Sequence, residues 1–410
     1  MLIKKFSSLT VVLSVLIITI AIAGCGDKKK KEFDAHMKQG ESFYAQGDFE
    51  KAIDEFKKSA ELMPASADAN QNIAVCYSNQ FLAMKSPTEH EKCVNLAENA
   101  IAYYKKTLEL DPARAESQFN ISNEYAKIAS MFMDDGDLAE ARTYFKKKIE
   151  VDPAGADAYY TLGVIDWGLC FAVQKPEGLY GIDEYVDKLA ANDTAISAIS
   201  KSAKIDKVKA AELAKALKAP ETDVVKSISK DSLIKQLKEI KDIKDDQVNK
   251  VLECIGTSPI NMLKCITEKA PDLKFSLAKQ ARAILSKNVR NMSDYISSTV
   301  GISKDQAGKG IEEAVNHLKL TAIDDGFTSI KKALEINQES PDYYQYMTML
   351  YVEKIKIEDN KSAIDEDSKN AEINFQKASR LRDKKKTDAD VEKEVKMFRE
   401  QLKQLLAKKK

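Results

Sequence analysis

The chain has 410 residues, 44% of them apolar, with only 15 glycines and 9 prolines. Those proportions supply material for a continuous core and few of the turn residues that sheets need, so they point to an all-α fold. With 64 basic residues against 64 acidic ones, the chain lacks the basic footprint of a nucleic-acid binder and carries no net field to draw in a polyanion.

The chain opens MLIKKFSSLTVVLSVLIITIAIAGCGDKKKK. Lys4 and Lys5 precede an apolar run from Leu9 to Ile22 that is short for a spanning helix, and small residues end it before a lone cysteine. Ile22-Ala23-Gly24-Cys25 resembles the lipobox of bacterial lipoprotein signal peptides; the plainer alternative is an uncleaved anchor with an incidental cysteine. The resemblance implies a signal peptide over residues 1–24, acylation of Cys25, and a lipid-anchored linker over 25–32. Two or three acyl chains, at about 0.8 kcal/mol per buried methylene, hold a protein firmly where one does not. Gly26 in place of an aspartate after that cysteine implies the outer membrane, facing the periplasm, in a cell with two membranes. Lys28 to Lys31 read as a short solvated leash.

From Phe33 to Cys170 one design recurs. GDFEKAIDEFKKSAELMP (Gly47 to Pro64) and GDLAEARTYFKKKIEVDP (Gly136 to Pro153) agree at Gly, Asp, Ala, Phe, two lysines, Glu and Pro. Gly47 can end one helix in the left-handed conformation, Asp48 can cap the next, and Pro64 stops it. Ala52, Phe56 and Ala60 form one apolar stripe at spacing four, too narrow to be stable without neighbours of the same kind, with Lys51, Lys57 and Lys58 on the wet face. Together with Gly40 and Phe43 upstream, these residues resemble the tetratricopeptide repeat (TPR), a helix pair recurring about every 34 residues. His36, where the family has Trp, and Ser59, where it has Ala, depart from the pattern. Ala74, Tyr77, Ala100, Tyr104 and Pro112 fit a second repeat with a lengthened hairpin. Tyr125, Ala129, Phe132, Gly136, Ala141, Phe145 and Pro153 fit a third, and Tyr159, Leu162, Gly163 and Trp167 begin a fourth. Residues 33–170 are thus expected to hold about three and a half repeats.

The pattern then lapses over residues 171–321, an inserted all-helical module of short hairpins with its own small core. IKDDQVNKVL (Ile243 to Leu252) and ISKDQAGKGI (Ile302 to Ile311) each read as a tight turn entering a short helix, and IGTSPINMLKCI (Ile255 to Ile266) as a helix capped by Ser258 with Pro259 in its first turn. LAKALKAPETDVVKSI (Leu213 to Ile228) resembles a helix-turn-helix, but Lys218 replaces the usual turn glycine and Lys226 is the lone basic contact of the second helix, which favours a plain hairpin and no nucleic acid. At GFTSIKKALEINQ (Gly326 to Gln338) the missing second helix of the fourth repeat resumes, and Tyr344, Met347, Tyr351, Ala371, Phe375 and Ala378 make a fifth, so that 322–385 is a C-terminal run of repeats. Residues 386–410, with Val391, Val395, Phe398, Leu402 and Leu405 in one stripe, are expected to cap the stack.

Cys254 with Cys265, and Cys76 with Cys93, could each close a hairpin in an oxidising compartment; the alternative is that these cysteines and Cys170 are small buried apolar residues. No CxxC, HExxH, nucleophile elbow or phosphate loop occurs around the three histidines, so neither metal, cofactor nor enzymatic activity is expected. In TPR proteins the first helices line a groove that holds a peptide. The resemblance places Met37, Tyr44, Gln71 and Asn79 in it, with Tyr160 and Trp167 further along; the last two are either an anchor for an apolar side chain or packing beneath the insert. Met37 and Glu41 stand where the family's basic clamp for a C-terminal carboxylate would have Lys and Asn, which argues against a chaperone-tail receptor. The resemblance thus implies a lipid-anchored scaffold that binds envelope proteins or peptides. Its competitor is a structural subunit whose insert is the binding element.

Overall fold

The computed structural model describes residues 27–84, 90–134, 138–172, 183–218, 230–255, 259–273, 275–288 and 292–409. Cys25 and the signal segment lie outside them, as do Gly136, Val224, Ile228 and Ser258. Every regular element among the described residues is helical. The chain divides into two compact units between Ile128 and Ala129, not at residues 170 and 321 as the repeat pattern suggests.

The first unit contains α1 (27–45), α2 (Phe49–Leu62), α3 (Ala67–Ala83), α4 (His90–Leu110) and the start of α5 (Ala115–Asp134). Lys28 to Lys31 are exposed as expected, but they belong to the first turns of α1 and do not form a leash. Gly47 takes φ +78° between α1 and α2, a conformation that costs a residue with Cβ, and the Asp48 carboxylate accepts from Lys51 N to cap α2. A Cβ on Gly40 would come within 2.6 Å of the Phe56 ring, so the small residue is what lets α1 lie on α2. Both departures from the family pattern find a bond. His36 Nδ1 lies 2.6 Å from Oε2 of the buried Glu55, which Lys58 also holds, and Ser59 Oγ donates to the Phe33 carbonyl at 3.3 Å. Lys57 is not on a wet face: it is half-buried, and its Nζ donates to Tyr77 OH at 3.1 Å.

In the second unit α6 (Leu138–Val151) packs on α7 (Ala156–Ala172). The insert follows as α8 (Asp183–Ala190), α9 (Asp193–Ala203), α10 (Lys207–Ala216), α11 (Lys230–Lys238), α12 (Asp245–Leu252), α13 (Pro259–Lys269), α14 (Phe275–Asn288) and α15 (Met292–Val300). It has two parts. Helices α11 to α14 close around their own core, including Leu237, Val251, Met262, Ile266 and Leu285. Helices α8, α9, α10 and α15 pack instead on α16 (Lys304–Ile336), α8 reaching Asp325 through Lys188.

That last helix corrects two expectations. ISKDQAGKGI does enter a helix, through a capping box of Ser303 and Gln306, but one of 33 residues. The boundary expected at 321 therefore falls inside a continuous helix whose first half belongs to the insert and whose second half pairs with α7. The pairing repeats the first hairpin: a Cβ on Gly163 would meet Ile330 Cδ1 at 2.5 Å, as one on Gly40 would meet Phe56. The fourth repeat is thus closed across the whole insert. A fifth hairpin, α17 (Pro341–Ile357) with α18 (Lys361–Arg382), follows, and α19 (Asp388–Lys409) covers it through stacked Phe375 and Phe398 rings 4.6 Å apart. The result is an all-α fold of TPR-like hairpins interrupted by a helical module.

Candidate partner-binding site

In the first unit the expected groove residues differ in what they offer. Met37 packs against the Phe56 core and is half-buried. Gln71 is buried, its Oε1 accepting from Ser117 Oγ at 2.6 Å, so it joins α3 to α5 and is not free for a ligand. Tyr44 remains 37% exposed, beside Phe49 with ring centroids 5.7 Å apart. Asn79 Nδ2 donates to the Tyr44 hydroxyl at 3.2 Å and to Val75 O at 2.9 Å. Close by in sequence, Ser78 Oγ and Lys127 Nζ both donate to Oε1 of the buried Glu124, a polar cluster that the groove expectation had not included. Of the four residues, Tyr44 and Asn79 keep a polar surface for a partner.

In the second unit Tyr160 and Trp167 stand one face apart on α7, and α17 supplies the rings between them. Tyr160 lies 5.0 Å from Tyr343 and 5.5 Å from Tyr346; Trp167 lies 5.7 Å from Tyr346 and 5.0 Å from Phe171, edge to face in both cases. These five rings make one ladder across two first helices, a geometry in which each pair adds about 0.5–1.5 kcal/mol beyond burial. Burial pushes the Tyr160 hydroxyl up to about 12. The ladder partners of Tyr160 and Trp167 are on α7 and α17, so the reading in which these rings pack beneath the insert is not what their ring contacts show. The indole Nε1 of Trp167 is buried and has no hydrogen-bond acceptor among the described residues. A donor left in that state costs about 1–3 kcal/mol.

A third feature escaped the sequence reading. Arg142 of α6 is buried and donates to three carboxylates: Nε to Asp166 Oδ1 at 2.6 Å, Nη1 to Glu184 Oε2 at 3.1 Å, and Nη2 to Asp325 Oδ2. Its guanidinium lies 4.9 Å from the centre of the Tyr185 ring, and Tyr185 OH and Ser329 Oγ donate to Asp166. Lys146 completes Glu184 and holds its carboxyl down at about 2. Asp166, without exposure, is pushed by burial up to about 6. The network ties α6, α7 and α16 to the first helix of the insert. Its one sequence signal was Asp166, a lone acid in the apolar stretch TLGVIDWGLCF.

Cys254 and Cys265 are joined by a disulfide with Cα atoms 5.7 Å apart. The bridge expected between Cys76 and Cys93 is absent: both stay buried thiols, on the small-apolar-residue alternative, and burial pushes Cys76 up to about 12. Among the described residues no cluster of three His, Cys, Asp or Glu could hold a metal, and no helix is long and apolar enough to cross a membrane.

The Tetratricopeptide repeat family matches two stretches, residues 33–66 and 125–154. No curated protein matches the chain. Similar solved structures include the TPR2AB-domain:pHSP90-complex of yeast Sti1, 16% identical over 93% of this chain and 99% of that one at a TM-score of 0.21. Another is the TPR domain of P58(IPK), 13% identical over 92% and 98% at 0.18. Such values say nothing about which residues bind. What the chain has in common with known proteins is the repeat itself, at residues 33–66 and 125–154.

Proposed function

We propose that the protein is a lipid-anchored TPR scaffold of the bacterial cell envelope, held at the outer membrane through Cys25 and binding a protein or peptide partner through first-helix surfaces. The supporting observation is the ring ladder of α7 and α17, with a buried indole N–H that lacks an acceptor. A partner that parts the rings around the indole would satisfy it with a carbonyl. The anchor rests on the lipobox sequence alone. The reading assigns no catalytic step and no cofactor.

Trp167→Phe tests the site, since it keeps a ring in the ladder and removes only the donor. Capture of partners from cross-linked envelopes, quantified by mass spectrometry, should fall more than tenfold, about 1.4 kcal/mol, for the principal partner. Melting should stay at or slightly above that of the parent protein. A lowered melting point with unchanged capture per folded molecule would instead make Trp167 a packing residue. The anchor has its own test. Cys25→Ser should abolish acyl labelling and release the protein from the membrane fraction, and unchanged fractionation of both would sink it.

The competing reading, with the insert as the binding element, draws support from the Arg142 network, which mounts α8 firmly on the repeats. Capture by a chain lacking the insert discriminates: retention of the partner favours the first reading, loss with the repeats still folded the second.

A further inference from the structure

The second half of α16, the end of α17 and the start of α18 enclose a cavity of about 420 Å³ that involves no ring of the ladder. Phe327 and Tyr351, ring centroids 4.5 Å apart, form its apolar side. Asp367, only 5% exposed, lines it as well. Lys354 Nζ donates to Asp367 Oδ1 at 3.3 Å and stands 3.2 Å from Oδ2, so this buried carboxylate is paired with one ammonium. Two more carboxylates on the lining, Asp324 and Glu366, have no ion-pair partner among the described residues. Against these three acids the cavity holds two lysines: Lys354, already engaged by Asp367, and Lys331, drawn over the Phe327 ring at 5.7 Å. Spare negative charge and an aromatic wall together want a cation.

We propose that this cavity is a second binding site, which takes an arginine side chain of a partner protein. A guanidinium presents five N–H donors in a planar fork that suits carboxylates, and it stacks on aromatic rings, whereas an ammonium offers a point charge with a stronger hydration shell. An adjoining cavity of about 640 Å³, sharing Thr328 and Lys331 with the first, has Ile149, Tyr159 and Leu162 on its lining. It places an apolar residue of the same partner segment beside the arginine. Charge complementarity at one end and apolar surface at the other therefore describe a short segment in which Arg neighbours Leu or Ile. The site is independent of the ladder and stands whether or not Trp167 binds anything.

The probe is acetyl-Leu-Arg-Leu-amide, compared with its citrulline counterpart, which keeps the planar shape of the arginine but loses the charge and exchanges one N–H-bearing nitrogen for a carbonyl oxygen. Both are titrated onto the full chain by ligand-observed NMR. The arginine peptide should bind at least tenfold more tightly. Asp324→Asn combined with Glu366→Gln, both on the exposed lining, should abolish that preference without lowering the melting point. Trp167→Phe should leave it intact. Equal binding of the two peptides, absence of binding at millimolar concentration, or a preference that survives the double substitution would overturn the proposal. So would its loss in Trp167→Phe, which would assign the peptide to the ladder.

Discussion

Arg142 shows how much one side chain can hold in this fold. It is buried, it faces Asp166, Glu184 and Asp325, and among the described residues no other cation reaches Asp166. Arg142→Met keeps the bulk and leaves a buried carboxyl without its countercharge, so we expect a loss of about 3–5 kcal/mol in urea unfolding at neutral pH. The loss should depend on pH in a definite direction. Burial pushes Asp166 up to about 6, while the unfolded chain releases the same proton near 4, so between those values the native state binds the extra proton and stability falls as pH rises. Removing Arg142 moves the upper limit higher. The variant should then go on losing up to about 1.4 kcal/mol per pH unit above pH 6, where the parent protein has levelled off. Unfolding at pH 6 and pH 8 measures this, and an equal penalty at both would mean that Asp166 does not titrate there. Beyond the lone Asp166 in its apolar stretch, this network could not be read in advance, because its members come from four segments with no common spacing. The pairing of Glu55 with His36 was hidden too: His36 showed only as a departure at the family's Trp position, and only the approach of α1 to α2 brings the two together.

At the scale of the helix pair, the sequence was most informative where the repeat motif is dense. Gly40, Gly47, Ala52 and Phe56 specify a turn, a close approach and a stripe, and the first hairpin follows them closely. The motif also located the second half of the interrupted repeat, at Gly326. What it concealed was the continuity of α16. Glycine inside a helical pattern weakens the case for continuity, yet two glycines of α16 are contact points within the helix: a Cβ on Gly310 would meet Leu213 at 2.4 Å, and one on Gly326 would meet Leu350 at 2.9 Å. The equivalence of the Gly163–Ile330 and Gly40–Phe56 contacts can be tested by coupling. Gly163→Ala gains about 1 kcal/mol of helix propensity and loses about 1–3 kcal/mol to overpacking against Ile330, a net destabilisation. In an Ile330→Ala background the clash with Ile330 is gone and only the Gly326 carbonyl at 3.3 Å remains close, so the same Gly163→Ala change should become stabilising by up to about 1 kcal/mol. Denaturant midpoints for the four proteins give the answer. Failure of the sign to reverse would mean that the two residues do not touch across the insert.

For the whole molecule the question is which parts unfold together. Helices α11 to α14 own a core made of residues from Leu233 to Leu285, whereas α8, α9, α10 and α15 pack on α16, and Arg142 fastens α8. A bundle with a private core can open alone, at a free energy below that of the whole. The Cys254–Cys265 disulfide lies in that bundle and spans 11 positions of sequence, a loop for which the chain-entropy account gives about 3 kcal/mol. Replacing both cysteines by serine should therefore weaken one part of the protein and spare the rest. In native-state hydrogen exchange, amides of α11 to α14 should lose protection equivalent to about 3 kcal/mol, while those of α7, α17 and the second half of α16 change by less than about 0.5 kcal/mol. A loss of the same size in all of these helices would show instead that insert and repeats form one cooperative unit. The continuous α16 would then be the element that couples them, since it is the one helix whose two halves serve both. The same experiment on Arg142→Met separates the cases further: that substitution should reach α7, α8 and α16 and leave α11 to α14 as they were, the reverse of the serine pair.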